Sequence, residues 1–286
     1  MNHVMISVKD LSKRYGNVSV LSNVSFQIQE GEIFAILGSN GAGKTTLLEC
    51  IEGLRDYSSG SIQCNSTLGI QLQNSTLPPD ITPYEALTLY ATWNHTKVDH
   101  AHVKTLGITP FLYTSYHKLS TGQQRRLHLA LALLTNSDIL ILDEPTAALD
   151  IEGRYTIHQE ILRLKKAGKT IILATHDMNE VEQLCDRLLV LKKGKIAFQG
   201  TLHQFTKSTE REFNILVTLS APLANAQLKS ISKFAHEYKI TTTNVEETLG
   251  MLSSICIKHQ VHIMDIHVEA FTAESQFMEL VKEEMA

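Results

Sequence analysis

The chain has 286 residues, 43% hydrophobic and 20% charged, with a formal net charge of −4. That composition fits a globular protein of one large or two ordinary domains with a sizeable core, and its mild acidity argues against a nucleic-acid partner held by bulk electrostatics. No apolar run approaches the ~18 residues needed to span a bilayer, and the amino-terminal MNHVMISVKDL lacks a signal peptide's apolar segment, so a cytosolic location is expected.

Val4–Val8 reads as a first strand. Tyr15 reads either as a half-buried strand-end aromatic or, ahead of a phosphate loop, as a ring that stacks on adenine. Val18–Ile28 carries two short strand-like runs, and Glu30-Gly31-Glu32 is a turn. Ile33–Leu37 is a wholly apolar run and reads as a buried strand. It breaks into Gly38-Ser39-Asn40-Gly41-Ala42-Gly43-Lys44-Thr45 and then into a helical run through Leu47 and Leu48. This is the full G-x-x-x-x-G-K-[ST] phosphate loop in strand–loop–helix context. The glycines let successive N–H groups converge on phosphate oxygens, helped by the positive end of the helix. Lys44 is expected to reach the β- and γ-phosphates, and the Thr45 hydroxyl to bind Mg²⁺.

Ser61–Cys64 and Leu68–Leu72 read as short strands, and the stretch from Gln73 to Asp80 as a loop. Thr82-Pro83-Tyr84-Glu85 is a capping box with proline at the first helical position, opening a helix to about Trp93. His95, His100 and His102 lack soft ligands at metal spacing and read as solvated. The cysteines Cys50, Cys64, Cys185 and Cys256 are scattered without a C-x-x-C, which points to reduced thiols.

Leu119-Ser120-Thr121-Gly122-Gln123 opens a long apolar helix, with Ser120 and Gln123 forming a second capping box. A helix start with an exposed serine, a glycine and free N–H groups is an anion site. Ile139–Leu142 is a buried strand ending on the paired acids Asp143 and Glu144. Adjacent carboxylates there need compensation, which Mg²⁺ and a water nucleophile would supply. Ile151–Lys166 reads as a helix after Asp150, Thr170–Thr175 as a buried strand ending at His176, and Asp177–Cys185 as a helix. If the strands run parallel, the phosphate loop, the acid pair and His176 meet at one carboxyl edge, where open α/β sheets bind ligands. Leu188–Leu191 and Ile196–Phe198 form two further strands. A boundary falls near His203–Arg211. Beyond it come strand Phe213–Leu219, helix Pro222–Tyr238, strand Lys239–Thr243, helix Val245–His259, strand Val261–Val268 and a last helix to Glu284, a small α+β domain without a catalytic constellation.

Taken together, Tyr15, the loop Gly38–Thr45, Gln73, the signature LSTGQ at 119–123, ILILDEP at 139–145, the turn Ala147–Asp150 and His176 resemble the nucleotide-binding domain of ATP-binding cassette (ABC) proteins. The fold this implies is α/β: a phosphate-loop cassette over 1–205, with a mixed-sheet core and a helical signature subdomain at about 74–135, plus a small α+β domain at 212–286. QNSTLPPDITPYEAL at 73–87 and the appended domain resemble exporter ATPases serving drug-, peptide-export or self-resistance permeases. The resemblance implies that Tyr15 stacks on adenine, and that Lys44, Thr45, Thr46 and the loop amides of Gly38, Ser39, Asn40, Gly41, Ala42 and Gly43 hold phosphates. It implies that Thr45, Gln73 and Asp143 serve Mg²⁺, that Glu144 polarises the attacking water, and that His176 steadies the γ-phosphate. Gln73 would relay to the permease and Asp150 would couple two sites. Ser120, Thr121, Gly122 and Gln123 would act in trans on the ATP of a second copy. Thr121 stands where the signature usually has glycine, and a β-branched residue there crowds the nucleotide. The stretch Ser61–Gln73 is also short for the family, so a trimmed hairpin region is expected. The implied partners are ATP, a second copy, and a separate permease that holds the chain on the inner face of the membrane; no nucleic acid is expected. An importer ATPase with a regulatory carboxy-terminal domain remains an alternative, as does a soluble cassette acting on ribosomes or DNA, which the single phosphate loop and the net charge disfavour.

Overall fold

The computed structural model describes residues 3–71, 76–147, 149–207, 213–222, 229–230, 236–270 and 272–282. The chain divides into two units, residues 1–202 and 203–286. The first unit opens with β1 (Val4–Tyr15), β2 (Val18–Gln29), β3 (Ile33–Leu37), α1 (Lys44–Ile51), β4 (Ser59–Cys64) and β5 (Leu68–Gln71). Then come α2 (Pro83–Trp93), α3 (His100–Thr105), α4 (Thr121–Leu133), β6 (Ile139–Asp143), α5 (Ile151–Lys166), β7 (Thr170–Thr175), α6 (Met178–Leu184), β8 (Arg187–Lys192) and β9 (Lys195–Thr201).

Two sheets result. One is antiparallel, in the order β2-β1-β4; the other has six strands in the order β5-β6-β7-β3-β8-β9, parallel except for β9. The core strands β3, β6 and β7 are buried at every position. Their residues alternate between two cores. Ile33, Leu140, Leu142, Ile171 and Leu173 meet the apolar faces of α2, α4 and α5, while Phe34, Ile36, Ile139, Ile141 and Ile172 meet β1, β2 and α1. Burial on both faces is why these strands are uniformly apolar instead of alternating.

Two extensions separate the observed sheets from the sequence reading. β1 continues past Val8 to Tyr15 and β2 is one strand, because the pair β1–β2 carries irregularities that absorb its polar positions. Asp10 and Asn23 take positive φ of 48° and 54° there. The expected capping boxes are present at both helix starts: Thr82 with Glu85 on α2, and Ser120 with Gln123 on α4.

The second unit holds the rest of α7 (Leu202–Lys207), then β10 (Phe213–Leu219), β11 (Lys229–Ser230), β12 (Glu237–Thr242), α8 (Val245–Lys258), β13 (Ile263–Ala270) and α9 (Ala273–Lys282). Its strands form one antiparallel sheet in the order β11-β12-β10-β13. Val217, Leu219 and Tyr238 pack against Leu252 and Cys256 of α8. The helix expected over Pro222–Tyr238 is corrected where it is described: Lys229 and Ser230 pair with Lys239 and Tyr238 as strand. Sheet pairing overrides the helix-favouring composition there; residues 223–228 and 231–235 lie outside the described set.

Candidate nucleotide site

The phosphate loop links the end of β3 to the start of α1. Gly41 and Gly43 take φ of +80° and +106°, backbone that side chains with a Cβ rarely adopt. A Cβ on Gly38 would stand 2.6 Å from the Leu191 carbonyl oxygen. Gly43 is the N-cap of α1 and supplies no side-chain cap, so the first N–H groups of the helix are left for an anion. Asn40, Gly41, Gly43, Lys44, Thr45 and Thr46 line a pocket of about 450 Å³ with Val20 of β2 and Glu144 beyond β6.

Parallel pairing of β6 with β7 and of β7 with β3 brings the ends of these strands to one edge. Lys44 is buried; its Nζ donates to the Gly38 carbonyl at 2.8 Å and lies 3.7 Å from Glu144 Oε1. Burial lowers its pKa, and the carboxylates of Glu144 and Asp143 oppose that shift. Thr45 Oγ1 donates to Asp143 Oδ2 at 3.2 Å. Asp143 is 3% exposed and its Oδ1 has no hydrogen-bond partner. Burial pushes its pKa up, against the Thr45 hydrogen bond. A buried carboxylate oxygen without a partner, beside a threonine hydroxyl, is a hard-oxygen donor pair that fits Mg²⁺. Glu144 sits at φ +49°, its N–H donating to the Ala174 carbonyl at 2.9 Å. Its Oε1 lies 3.2 Å from His176 Nδ1.

The remaining expected residues lie around this cluster. Tyr15 ends β1, exposed, with Lys13 Nζ 4.9 Å and the Arg55 guanidinium 5.4 Å from its ring centroid. Asp150 caps α5, accepting from the Gly153 N–H at 2.8 Å. Ser120 and Gln123 engage each other: Ser120 N–H donates to Gln123 Oε1 at 2.9 Å, and Gln123 N–H donates to Ser120 Oγ at 3.2 Å. A Cβ on Gly122 would stand 3.2 Å from Leu149 Cδ2, so the signature packs on the turn before Asp150. Residues 120–123 do not line the phosphate pocket. Gln73 and Ala148 lie outside the described residues. Just ahead of Gln73, Gln71 is 1% exposed and both of its amide atoms lack a partner.

Three supporting residues carry no motif and were not foreseen. Thr146 Oγ1 donates to Glu180 Oε1 at 2.9 Å, and His158 Nε2 lies 3.4 Å from the same oxygen. A buried acid four positions after His176 is the one clue the sequence holds. His102, read as solvated, instead lies 3.2 Å from Asp99 Oδ2, with Glu160 and Arg163 of α5 also against its ring.

A glycine-rich loop that opens a helix, backed by paired acids and a histidine on neighbouring parallel strands, defines a phosphate-loop nucleotide-binding protein. Residues 21–147 match the ABC transporter family. The chain is 34% identical over 221 residues to a Nod factor export ATP-binding protein I of Burkholderia lata, covering 71% of this chain and 73% of that protein. It is 28% identical over 305 aligned positions to the linearmycin resistance ATP-binding protein LnrL of Bacillus subtilis, covering 96% of this chain and 98% of that one. Among solved structures, the dimeric post-hydrolysis state of the ATP-binding cassette MJ0796 bound to ADP and Pi matches with a TM-score of 0.63 and 27% identity, over 69% of this chain and 99% of that chain. The chain belongs to the ATP-binding cassette ATPases of the ABC transporter family. Among its described residues no helix is long and apolar enough to cross a membrane.

Proposed function

We propose that this chain is the ATP-hydrolysing subunit of an exporter, driving a separate transmembrane permease that expels drugs, peptides or other toxic compounds. The observation that carries the enzymatic part is the convergence of Lys44, Thr45, Asp143, Glu144 and His176 at one sheet edge. Export is supported by the relatives, one named for Nod factor export and one for linearmycin resistance, the latter aligned along nearly the whole chain.

In this reading Tyr15 stacks on adenine, and Lys44, Thr46 and the loop amides of residues 38–45 take the phosphates. Thr45 and Asp143, with Gln73, hold Mg²⁺, which neutralises charge on the phosphate oxygens when bound. Glu144 accepts a proton from the attacking water, and His176, beside it, orients the γ-phosphate. Phosphoryl transfer needs positioning and charge neutralisation more than covalent chemistry, and this set supplies both. Ser120, Thr121, Gly122 and Gln123 close the nucleotide of a second copy, with Gln73 and Asp150 coupling the sites, so hydrolysis is conditional on dimer closure. The permease holds the subunit at the cytoplasmic face of the membrane.

The test is MgATP turnover by the purified chain, alone and reconstituted with a candidate permease, with and without a toxic substrate. Turnover stimulated by permease and substrate is expected. MgATP binding without hydrolysis in every combination would defeat the reading.

A further inference from the structure

The sheet of the second unit ends differently on its two sides. On one side β12 is flanked by the two-residue β11; on the other, the eight-residue β13 is the outermost strand and pairs only with β10 among the described residues. A long open edge presents unpaired N–H and C=O groups that template a further strand. Ile266 and Val268, opposite Val217 and Ile215 of β10, lie on one face of β13 and remain 38% and 40% exposed, and Met264, at an irregularity in the pairing with β10, is 68% exposed. Asp265, His267 and Glu269 occupy the other face, with His267 Nε2 3.2 Å from Glu269 Oε1.

We infer that β13 pairs antiparallel with β13 of a second copy about a two-fold axis through Ile266, joining two four-stranded sheets into one. The sequence of the strand is complementary to itself in this register. Centred on Ile266, the pairing sets Ile266 against itself, Met264 against Val268 twice, and Asp265 against His267 twice. Apolar residues then meet apolar ones on one face, and a carboxylate meets an imidazole able to donate a hydrogen bond to it on the other, the kind of cross-strand pair that stabilises adjacent strands. Shifting the centre to Asp265 sets that carboxylate against its own copy. Shifting it to His267 sets Asp265 against Glu269. Centres that fall between residues place Ile266 opposite Asp265 or His267, against the alternation that fixes register. Self-complementarity of one patch is what a two-fold interface requires. The contact uses none of the nucleotide-site residues and therefore holds without ATP.

The experiment is sedimentation velocity on the full chain, free of nucleotide and Mg²⁺, over a concentration series. The wild-type chain is expected to dimerise. Asp265→Lys, which opposes a lysine to His267 of the partner subunit, is expected to weaken the dimer at least about tenfold while basal ATPase activity is unchanged. The double exchange Asp265→His with His267→Asp restores it. Ile266→Cys, at the axis, should form a disulfide-linked dimer on oxidation that the wild-type chain does not. A monomeric nucleotide-free chain would overturn the inference. So would a dimer that Asp265→Lys leaves intact and Ile266→Cys fails to crosslink, since it would form through another face.

Discussion

Thr45 Oγ1 and Asp143 Oδ2 stand 3.2 Å apart across a sequence separation of 98 residues. The helix that follows the loop and the strand that precedes the acid pair deliver one oxygen each to the same point. In Asp143→Asn the amide still accepts the threonine hydrogen bond but loses the charge a divalent cation requires. We expect the preference for MgATP over metal-free ATP to fall at least about tenfold, with metal-free affinity unchanged, as read by fluorescent-nucleotide titration in Mg²⁺ and in EDTA.

Glu144→Gln keeps the shape of the side chain and removes its basicity. ATP binding should persist and turnover should fall by about 100-fold or more. With MgATP the variant should accumulate as a closed dimer. Light scattering behind size exclusion reads this more cleanly in the Asp265→Lys chain, where the strand-edge contact is expected to be weakened; a monomeric and still active Glu144→Gln chain would contradict the role.

Thr121 is exposed at the first position of α4. Replacing it with glycine removes the β-branched bulk that, in the proposed trans arrangement, would face the nucleotide of a second copy. Thr121→Gly in the Glu144→Gln, Asp265→Lys background should dimerise at several-fold lower ATP concentration. An unchanged ATP midpoint would show that the threonine does not crowd the closed state.

Glu180, 2% exposed, accepts from Thr146 and pairs with His158, itself 8% exposed. Glu180→Ala leaves both buried groups without their carboxylate. The cost should be about 1–3 kcal/mol of unfolding free energy by urea titration, the penalty for leaving a buried hydrogen-bonding group unsatisfied. His158→Ala together with Glu180→Ala should recover part of it, because the second change removes a stranded partner.

His128 accepts or donates at 2.9 Å to the Tyr116 hydroxyl inside the helical region, and burial, with the Arg125 charge nearby, holds its pKa down at about 4. The folded state therefore favours the neutral ring, so its contribution to stability is complete above the unfolded value near 6.5 and is lost as pH falls towards 4. Wild-type stability should drop between pH 7 and pH 4.5 by about 1–3 kcal/mol more than that of His128→Gln. Parallel unfolding curves for the two chains at both pH values would rule this out.

What was legible in the sequence was local. The strand Ile33–Leu37 and the glycine loop read directly, and both capping boxes form between residues three apart. His176 is a lone histidine by itself. Its meeting with Glu144 depends on β6 and β7 being parallel neighbours, which the two buried runs suggested and the register supplies. Pairing between distant segments was not legible. β1 reaches Tyr15 because β2 and β4 hydrogen-bond along it, and Lys229–Ser230 is strand because β12 lies beside it. The triad of Thr146, His158 and Glu180 escaped for the same reason, since its members come from three separate elements and no spacing rule joins them.

Glu144 adopts a left-handed backbone at φ +49°. For a residue with a Cβ this conformation costs roughly 1–2 kcal/mol, least for glycine and modest for asparagine and aspartate. The backbone thus filters the substitutions open to position 144 before any question of catalysis arises. Valine, isoleucine or threonine there would collide with their own main chain and distort the acid pair and the strand edge together. Lineages that lose hydrolysis while keeping a folded nucleotide-binding switch are expected to exit through glutamine, aspartate, asparagine or glycine. A degenerate copy of this gene should show its decay first as one of those four residues.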